Sequence, residues 1–187
     1  MGMATTDLPI CTIEELLSLP EDGFRHELLR GEHVVTPAPR VRHQLVVEDL
    51  AEHLRRFVAT QVGVRCFSSL VDVHVDSTTL LQPDICVFNL ASGIPDDWCD
   101  FPLPRLVVEV LSPGTADRDR GQKKEIYQAA GVPEYWIVDI DSRLVERWRP
   151  EDQRPEILRE TITWQPADAE KGVVIDLVQL FSQSKTD

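Results

Sequence analysis

Residues 106–139, LVVEVLSPGTADRDRGQKKEIYQAAGVPEYWIVD, decide the fold. They read as strand, helix, strand. Leu106 to Leu111 is an apolar run broken only by Glu109, the pattern of a strand covered on both faces. Ser112-Pro113-Gly114-Thr115 ends it. Thr115 or Asp117 then stands where a helix cap belongs, and the helix runs to Ala130 and stops at Gly131. Tyr135 to Asp139 is the next strand. The whole has the length of a parallel crossover, right-handed by the usual rule. Glu109 is the anomaly, because an ionised carboxylate in such a strand is costly unless a cation meets it.

Working outward, Thr12-Ile13-Glu14-Glu15 is a capping box that opens a helix through Leu19, just before Pro20. Phe24 to Val35 reads as a hairpin around Arg30-Gly31-Glu32. A helix follows from Arg42 to Thr60, with Leu45, Val46, Asp49, Leu50, His53, Leu54 and Val58 at three-four spacing. Cys66 to Val75 alternates, with Val71, Val73 and Val75 on one face, and reads as one half-buried strand. Pro83 to Phe88 and Leu144 to Arg149 are further strands, the latter reached by a turn at Asp141-Ser142. The polar tail, 150–187, holds two short apolar runs, Glu156 to Trp164 and Val173 to Phe181. With no repeat and no linker, residues 1–187 read as a single α/β domain built on a mixed sheet flanked by helices.

The 187-residue chain is 42% hydrophobic and 27% charged, ordinary for a globular protein, with a net charge of −13. That charge argues against a loose, non-specific grip on nucleic acid. Basic residues do cluster, at Arg40, Arg42, His43, Arg55 and Arg56, and again at Arg118, Arg120, Lys123 and Lys124; the plain reading of both groups is solvated helix surface. No apolar run approaches a membrane span. The first residues lack the basic-then-apolar order of a secretory signal, and the myristoylation outline of Met1-Gly2 with Thr6 is set aside. Cys11, Cys66, Cys86 and Cys99 make no CxxC pair and read as reduced thiols in a cytoplasm.

Asp84 opens the strand Ile85 to Phe88, and Glu109 lies within the next one. Adjacent strands can bring the two acids together, where they repel and one pKa rises. A divalent cation resolves this, since Mg2+ (or Mn2+) takes one or two carboxylates with waters and phosphate. A lysine beside it can orient a water and stabilise charge developing on phosphate. Lys123, Ile126, Tyr127 and Ala130 share a stripe at i, i+3, i+4 and i+7, which turns Lys123 inward and Lys124 toward solvent. Singly, each feature has a duller meaning: a turn, a structural ion pair, a surface lysine. Their order along the chain is what raises them.

Three stretches carry a resemblance to a known family: QPDICVF (82–88), RLVVEVLSPGTADRDRGQKKEIYQAAGVPEYWIVD (105–139) and FRHELLRGEHVVTPAPRVRHQLVVEDLAEHL (24–54). They resemble the Uma-type restriction endonucleases, a bacterial group within the PD-(D/E)XK nuclease superfamily. The resemblance covers roughly residues 12–150, most specifically Pro104 to Asp139. It implies a restriction-endonuclease-like core and Mg2+-dependent cleavage of DNA phosphodiesters. Asp84 matches the family's metal-binding aspartate, Glu109 its second acidic ligand and Lys123 its lysine. The Val110 carbonyl would assist the metal. Glu27 and His43 match positions of its N-terminal pattern, as an outer metal contact and a phosphate contact or local cap. Arg42, Arg118 and Arg120 are then candidates for flanking phosphates. The superfamily's usual lysine stands two residues after the acidic ligand; here that position is Leu111, and Lys123 supplies the amine from the following helix.

Other readings compete. The nuclease fold could serve as a binding or oligomeric module with weak or lost catalysis, a reading the acidic net charge favours. His26, His33 and His43 with a transition metal match no defensible zinc spacing. Trp98, Trp136, Trp148 and Trp164 could form an interface, although tryptophans in strands are more often core, and an exposed strand edge could pair two copies. An arginine wedged between Asp84 and Glu109, with no access for water, would leave the fold and remove the enzymatic reading.

Overall fold

The structure is a computed structural model and describes residues 12–68 and 71–183. Cys11 and the Met1-Gly2 outline lie outside the described residues.

Helix α1 (Ile13–Leu17) is opened by the expected capping box, in which the Glu15 carboxylate accepts from the Thr12 amide at 2.8 Å and Thr12 Oγ1 accepts from the Glu15 amide at 3.2 Å. It ends at Leu17, short of Leu19. Strands β1 (Arg25–Leu29) and β2 (Glu32–Thr36) form the hairpin. Its two-residue turn places Arg30 at φ 51° and Gly31 at φ 86°, the left-handed pair that suits the twist of a tight hairpin. Helix α2 (Val41–Val58) follows. Its buried stripe is His43, Val46, Val47, Leu50, Ala51, Leu54 and Val58. Leu45, read as part of that stripe, is instead exposed, because the helix turns Val46 and Val47 to the core.

The run Cys66 to Val75 is not one strand. It divides into β3 (Val64–Ser68) and β4 (Val73–Asp76), which belong to different sheets. Alternation reports only which face a residue takes, so a chain that leaves one sheet for another keeps its pattern. The short β5 (Thr79–Leu81), unmarked in the sequence, completes a four-stranded antiparallel sheet in the order β2-β1-β5-β4.

The second sheet contains β6 (Ile85–Asn89), β7 (Leu106–Val110), β8 (Glu134–Asp139), β9 (Leu144–Trp148) and β10 (Glu156–Leu158), in the order β10-β9-β8-β7-β6-β3. It is mixed: β7 and β8 run parallel and its other pairs antiparallel. The crossover from β7 to β8 is not a plain helix. A short α3 (Ala116–Arg118) leads into a wide π turn (Asp119–Lys123), then α4 (Lys124–Ala130), which stops at Gly131 with φ 79°. Neither proposed cap acts: Thr115 is the capping residue but its side chain makes no capping bond, and Asp117 lies within the helix. Strands β11 (Thr161–Trp164) and β12 (Val173–Asp176) pair with each other, and α5 (Leu177–Gln183) ends the described chain.

Alternate residues of the central strands enter two cores. Ile85, Val87, Val108, Val110, Trp136 and Val138 pack with α2, and Cys86, Phe88, Val107, Tyr135 and Ile137 pack with Ile126 and Tyr127 of α4. Glu109 has the parity of Val107, so it faces the crossover side. Trp136, Trp148 and Trp164 are buried, while Trp98 is half-buried in an aromatic group with Phe67 and Phe101. Three of the four tryptophans are thus core residues. Cys66, Cys86 and Cys99 are free thiols. Among the described residues no helix is long and apolar enough to cross a membrane.

Candidate functional site

Asp84, Glu109 and Lys123 converge where the two larger sheets meet the π turn. Asp84 precedes β6, and Glu109 is next to last in β7, which runs antiparallel to β6, so both acids lie at the same end of the sheet. Lys123 closes the π turn, a feature often found at functional sites. All three are buried.

The cation that meets Glu109 is Lys123, whose Nζ lies 2.7 Å from Oε1. The same ammonium reaches Glu27 Oε1 at 2.8 Å and stands 3.8 Å from Asp119 Oδ1. Glu27 also accepts the Gln82 amide at 2.9 Å, which fixes the loop leading to Asp84. Asp84 Oδ2 accepts the Val110 amide at 2.8 Å and lies 3.1 Å from His43 Nε2. Arg25 closes the group. Its Nη2 donates to Asp84 Oδ1 at 2.9 Å, and its Nη1 lies 4.0 Å from Glu109 Oε2.

Each acid is thus held by one oxygen and presents the other. Asp84 Oδ2 is fixed by Val110 and His43, and Glu109 Oε1 by Lys123. Asp84 Oδ1 and Glu109 Oε2 both face the Arg25 guanidinium. An arginine does stand between the acids, but its side chain is 22% exposed, so water reaches it.

Four carboxylates (Glu27, Asp84, Glu109 and Asp119) face two permanent cations. Burial would raise Asp84, but the His43 hydrogen bond, the Arg25 charge and the Val110 amide outweigh it and hold the carboxyl at about 2. Burial pushes Glu109 well above the usual carboxylate range against the pull of Lys123, and the neighbouring acids push the same way. Asp119 is raised by burial in the same manner. For Lys123, burial is outweighed by Glu109, Glu27 and Asp119, which raise it and keep it charged. Tyr127, buried beside the group with a hydroxyl that has no hydrogen-bond partner among the described residues, is pushed up by burial and by Glu109.

Glu27 and His43 therefore join the group, with Glu27 bound to Lys123 and His43 to Asp84. The three arginines singled out in the sequence separate. Arg42 pairs with Asp141 at 2.8 Å, and Arg120 with Glu146 at 2.7 Å and Asp139 at 2.9 Å. Arg118 is half-buried, with no ion-pair partner among the described residues. Lys124 lies over the Trp148 ring, 4.9 Å from its centroid, rather than in free solvent. Two members were missed. Arg25 lies two residues before Glu27 on the same strand face, and Asp119 lies one helical turn before Lys123, so period-two and period-four spacing from residues already singled out would have found both. His26, His33 and His43 do not gather. His26 Nδ1 meets His33 Nε2 at 3.0 Å and its other nitrogen meets Asp22 at 3.0 Å, which directs them away from a common point. Among the described residues, no three His, Cys, Asp or Glu side chains form a metal cage. Two carboxylates and a backbone carbonyl are a set that suits Mg2+ rather than such a cage.

A mixed sheet with helices on its faces and acids gathered at one strand end defines a restriction-endonuclease-like fold, and a solved structure shares it. A crystal structure from Anabaena variabilis ATCC 29413, described as "a putative nuclease belonging to DUF820", superposes with a TM-score of 0.77 at 23% identity, covering 94% of this chain and 99% of that one. The chain belongs to the Uma2 family, described as "Putative restriction endonuclease", whose family model matches residues 13–178. No curated protein matches it.

Proposed function

We propose that the protein is a divalent-metal-dependent DNA endonuclease. The carrying observation is the split use of the two carboxylates: one oxygen of each is anchored by the protein, and the other two face one cationic position. Asp84 Oδ1 and Glu109 Oε2 would hold Mg2+ or Mn2+. The Val110 carbonyl suits a third ligand, because in a strand it points to the same side as the amide that Asp84 accepts. Held there, such an ion would supply Lewis acidity for phosphodiester hydrolysis.

The chain's own residues set the geometry. Lys123 fixes Glu109 and Glu27. An ammonium carries three donors; Glu109 accepts one, Glu27 is an ion-pair partner at 2.8 Å, and Asp119 at 3.8 Å is beyond hydrogen-bond range, so a proton remains to orient a water. His43 and the Val110 amide keep Asp84 ionised and in place. Arg118 would meet a flanking phosphate without breaking an ion pair seen among the described residues, whereas Arg42 and Arg120 would have to leave theirs.

The test is cleavage of plasmid, linear and branched DNA with Mg2+ or Mn2+. Asp84→Asn and Glu109→Gln should each lower the rate by about a hundredfold or more, and a Glu109→Gln protein that cuts at the unsubstituted rate overturns the assignment. Arg25 between the acids favours a second reading, a nuclease fold kept for binding with the site permanently ion-paired. That reading predicts no cleavage, together with DNA binding that neither a chelator nor Asp84→Asn alters.

A further inference from the structure

We propose that Arg25 and the divalent ion are alternative occupants of one position, and that the displaced guanidinium becomes a phosphate contact. The inference rests on the metal reading above and deepens it. Arg25 touches Asp84 Oδ1 and Glu109 Oε2, the two carboxylate oxygens left over once Val110, His43 and Lys123 have taken theirs. A cation entering between the acids needs those same oxygens.

Of the cations in the group, Arg25 is the one built to leave. Lys123 is 3% exposed and is held by two contacts of 2.8 Å or less. Arg25 makes one close bond, its second contact is 4.0 Å, and its side chain is 22% exposed. It is the first residue of β1, so its long side chain can swing outward while the β1–β2 ladder stays intact. Its partly exposed side chain, once released, would be open to solvent, and its planar fork suits two phosphate oxygens. By linkage, DNA that draws Arg25 outward strengthens metal binding, and the metal strengthens DNA binding by the same factor.

Calorimetric titration with Mn2+ alone tests the exchange, using the full chain and its Arg25→Gln, Arg25→Lys and Asp84→Asn variants, each stripped with chelator and melted with and without Mn2+. A competitor that occupies the site lowers apparent affinity by the fraction of open protein, so Arg25→Gln should bind Mn2+ about tenfold tighter or more. Its metal-free melting temperature should fall below that of the unsubstituted protein, and Mn2+ should raise it by more. Arg25→Lys, which keeps the charge but loses the fork, should fall between; if Arg25→Gln does not fold, this variant carries the comparison. Equal or weaker Mn2+ binding by the Arg25 variants, with Asp84→Asn abolishing binding, overturns the exchange and leaves the metal site standing. Mn2+ binding by none of the proteins, or binding indifferent to Asp84→Asn, overturns both.

Discussion

Among the described residues Arg25, Arg120, Arg147 and Arg149 each stand within ion-pair distance of two carboxylates, and the regions around Arg25 and Arg120 are not alike. Arg120, in the π turn, donates to Glu146 at 2.7 Å and to Asp139 at 2.9 Å, and its side chain is 39% exposed. Both contacts are close and the group opens to water. Arg25 faces Asp84 and Glu109, which are each only 3% exposed, yet it makes one close bond and one contact of 4.0 Å. The deeper pair of acids thus has the looser arginine. The Asp139–Glu146 pair, 14% and 10% exposed, is satisfied by two close bonds from its half-exposed arginine. The interior acids are satisfied mainly by Lys123, His43 and the Val110 amide, and Arg25 takes what is left. Proximity of opposite charges is common to both; of these two, the pair of acids that is 3% exposed is the one whose oxygens its arginine uses incompletely.

The largest effect should come from Lys123. Lys123→Met strands Glu27, Glu109 and Asp119 in the interior, and removing one partner of a buried pair costs about 3–5 kcal/mol, readable as a shift of the urea midpoint. Adding Glu109→Gln should recover part of that loss, and a double variant no more stable than the single one would show that Glu109 is not the stranded group. Next is the pH dependence at Asp84. Its folded pKa, about 2, lies below the unfolded value near 3.9, so its ionisation stabilises the fold above about pH 4 and that stability is lost as pH falls through 2. Asp84→Asn should remove about 2 kcal/mol of the acid-dependent loss over that window, and an unchanged acid limb would break the contrast between the acids at Arg25 and those at Arg120.

Arg25→Ala should then cost about 1–2 kcal/mol, toward the low end for leaving buried acceptors short of a donor because the guanidinium is partly hydrated. The smallest effect falls at Arg120, the more exposed of the two arginines: Arg120→Ala should cost about 0–1 kcal/mol and lose more of its effect in high salt than Arg25→Ala does. Chemical denaturation at low and high salt compares the two arginines directly. If Arg120 proves the costlier, the assignment of the interior acids as the charged heart of the molecule fails.

Much of this was legible because it is local. The run at Leu106–Val110 with its one carboxylate, the hairpin at Arg30-Gly31 and the stripe that turned Lys123 inward and Lys124 aside all follow from period two, period 3.6 and turn chemistry. The π turn was not legible, since the residues of a widened turn differ little from those of a regular helix. Nor was the division of Cys66 to Val75 between two sheets, because alternation continues when a chain changes partners.

The amino-acid order therefore determined which side chains have an inward face: Asp84, Glu109 and Lys123, and by the same spacing Arg25 and Asp119. Only the tertiary structure decided who meets whom. That Lys123 binds Glu27 and that Arg25 reaches Asp84 are contacts between distant parts of the chain. Such contacts exist because two sheets and a crossover pack at one corner and bury their charges there, and charges removed from water take whichever partners the packing supplies.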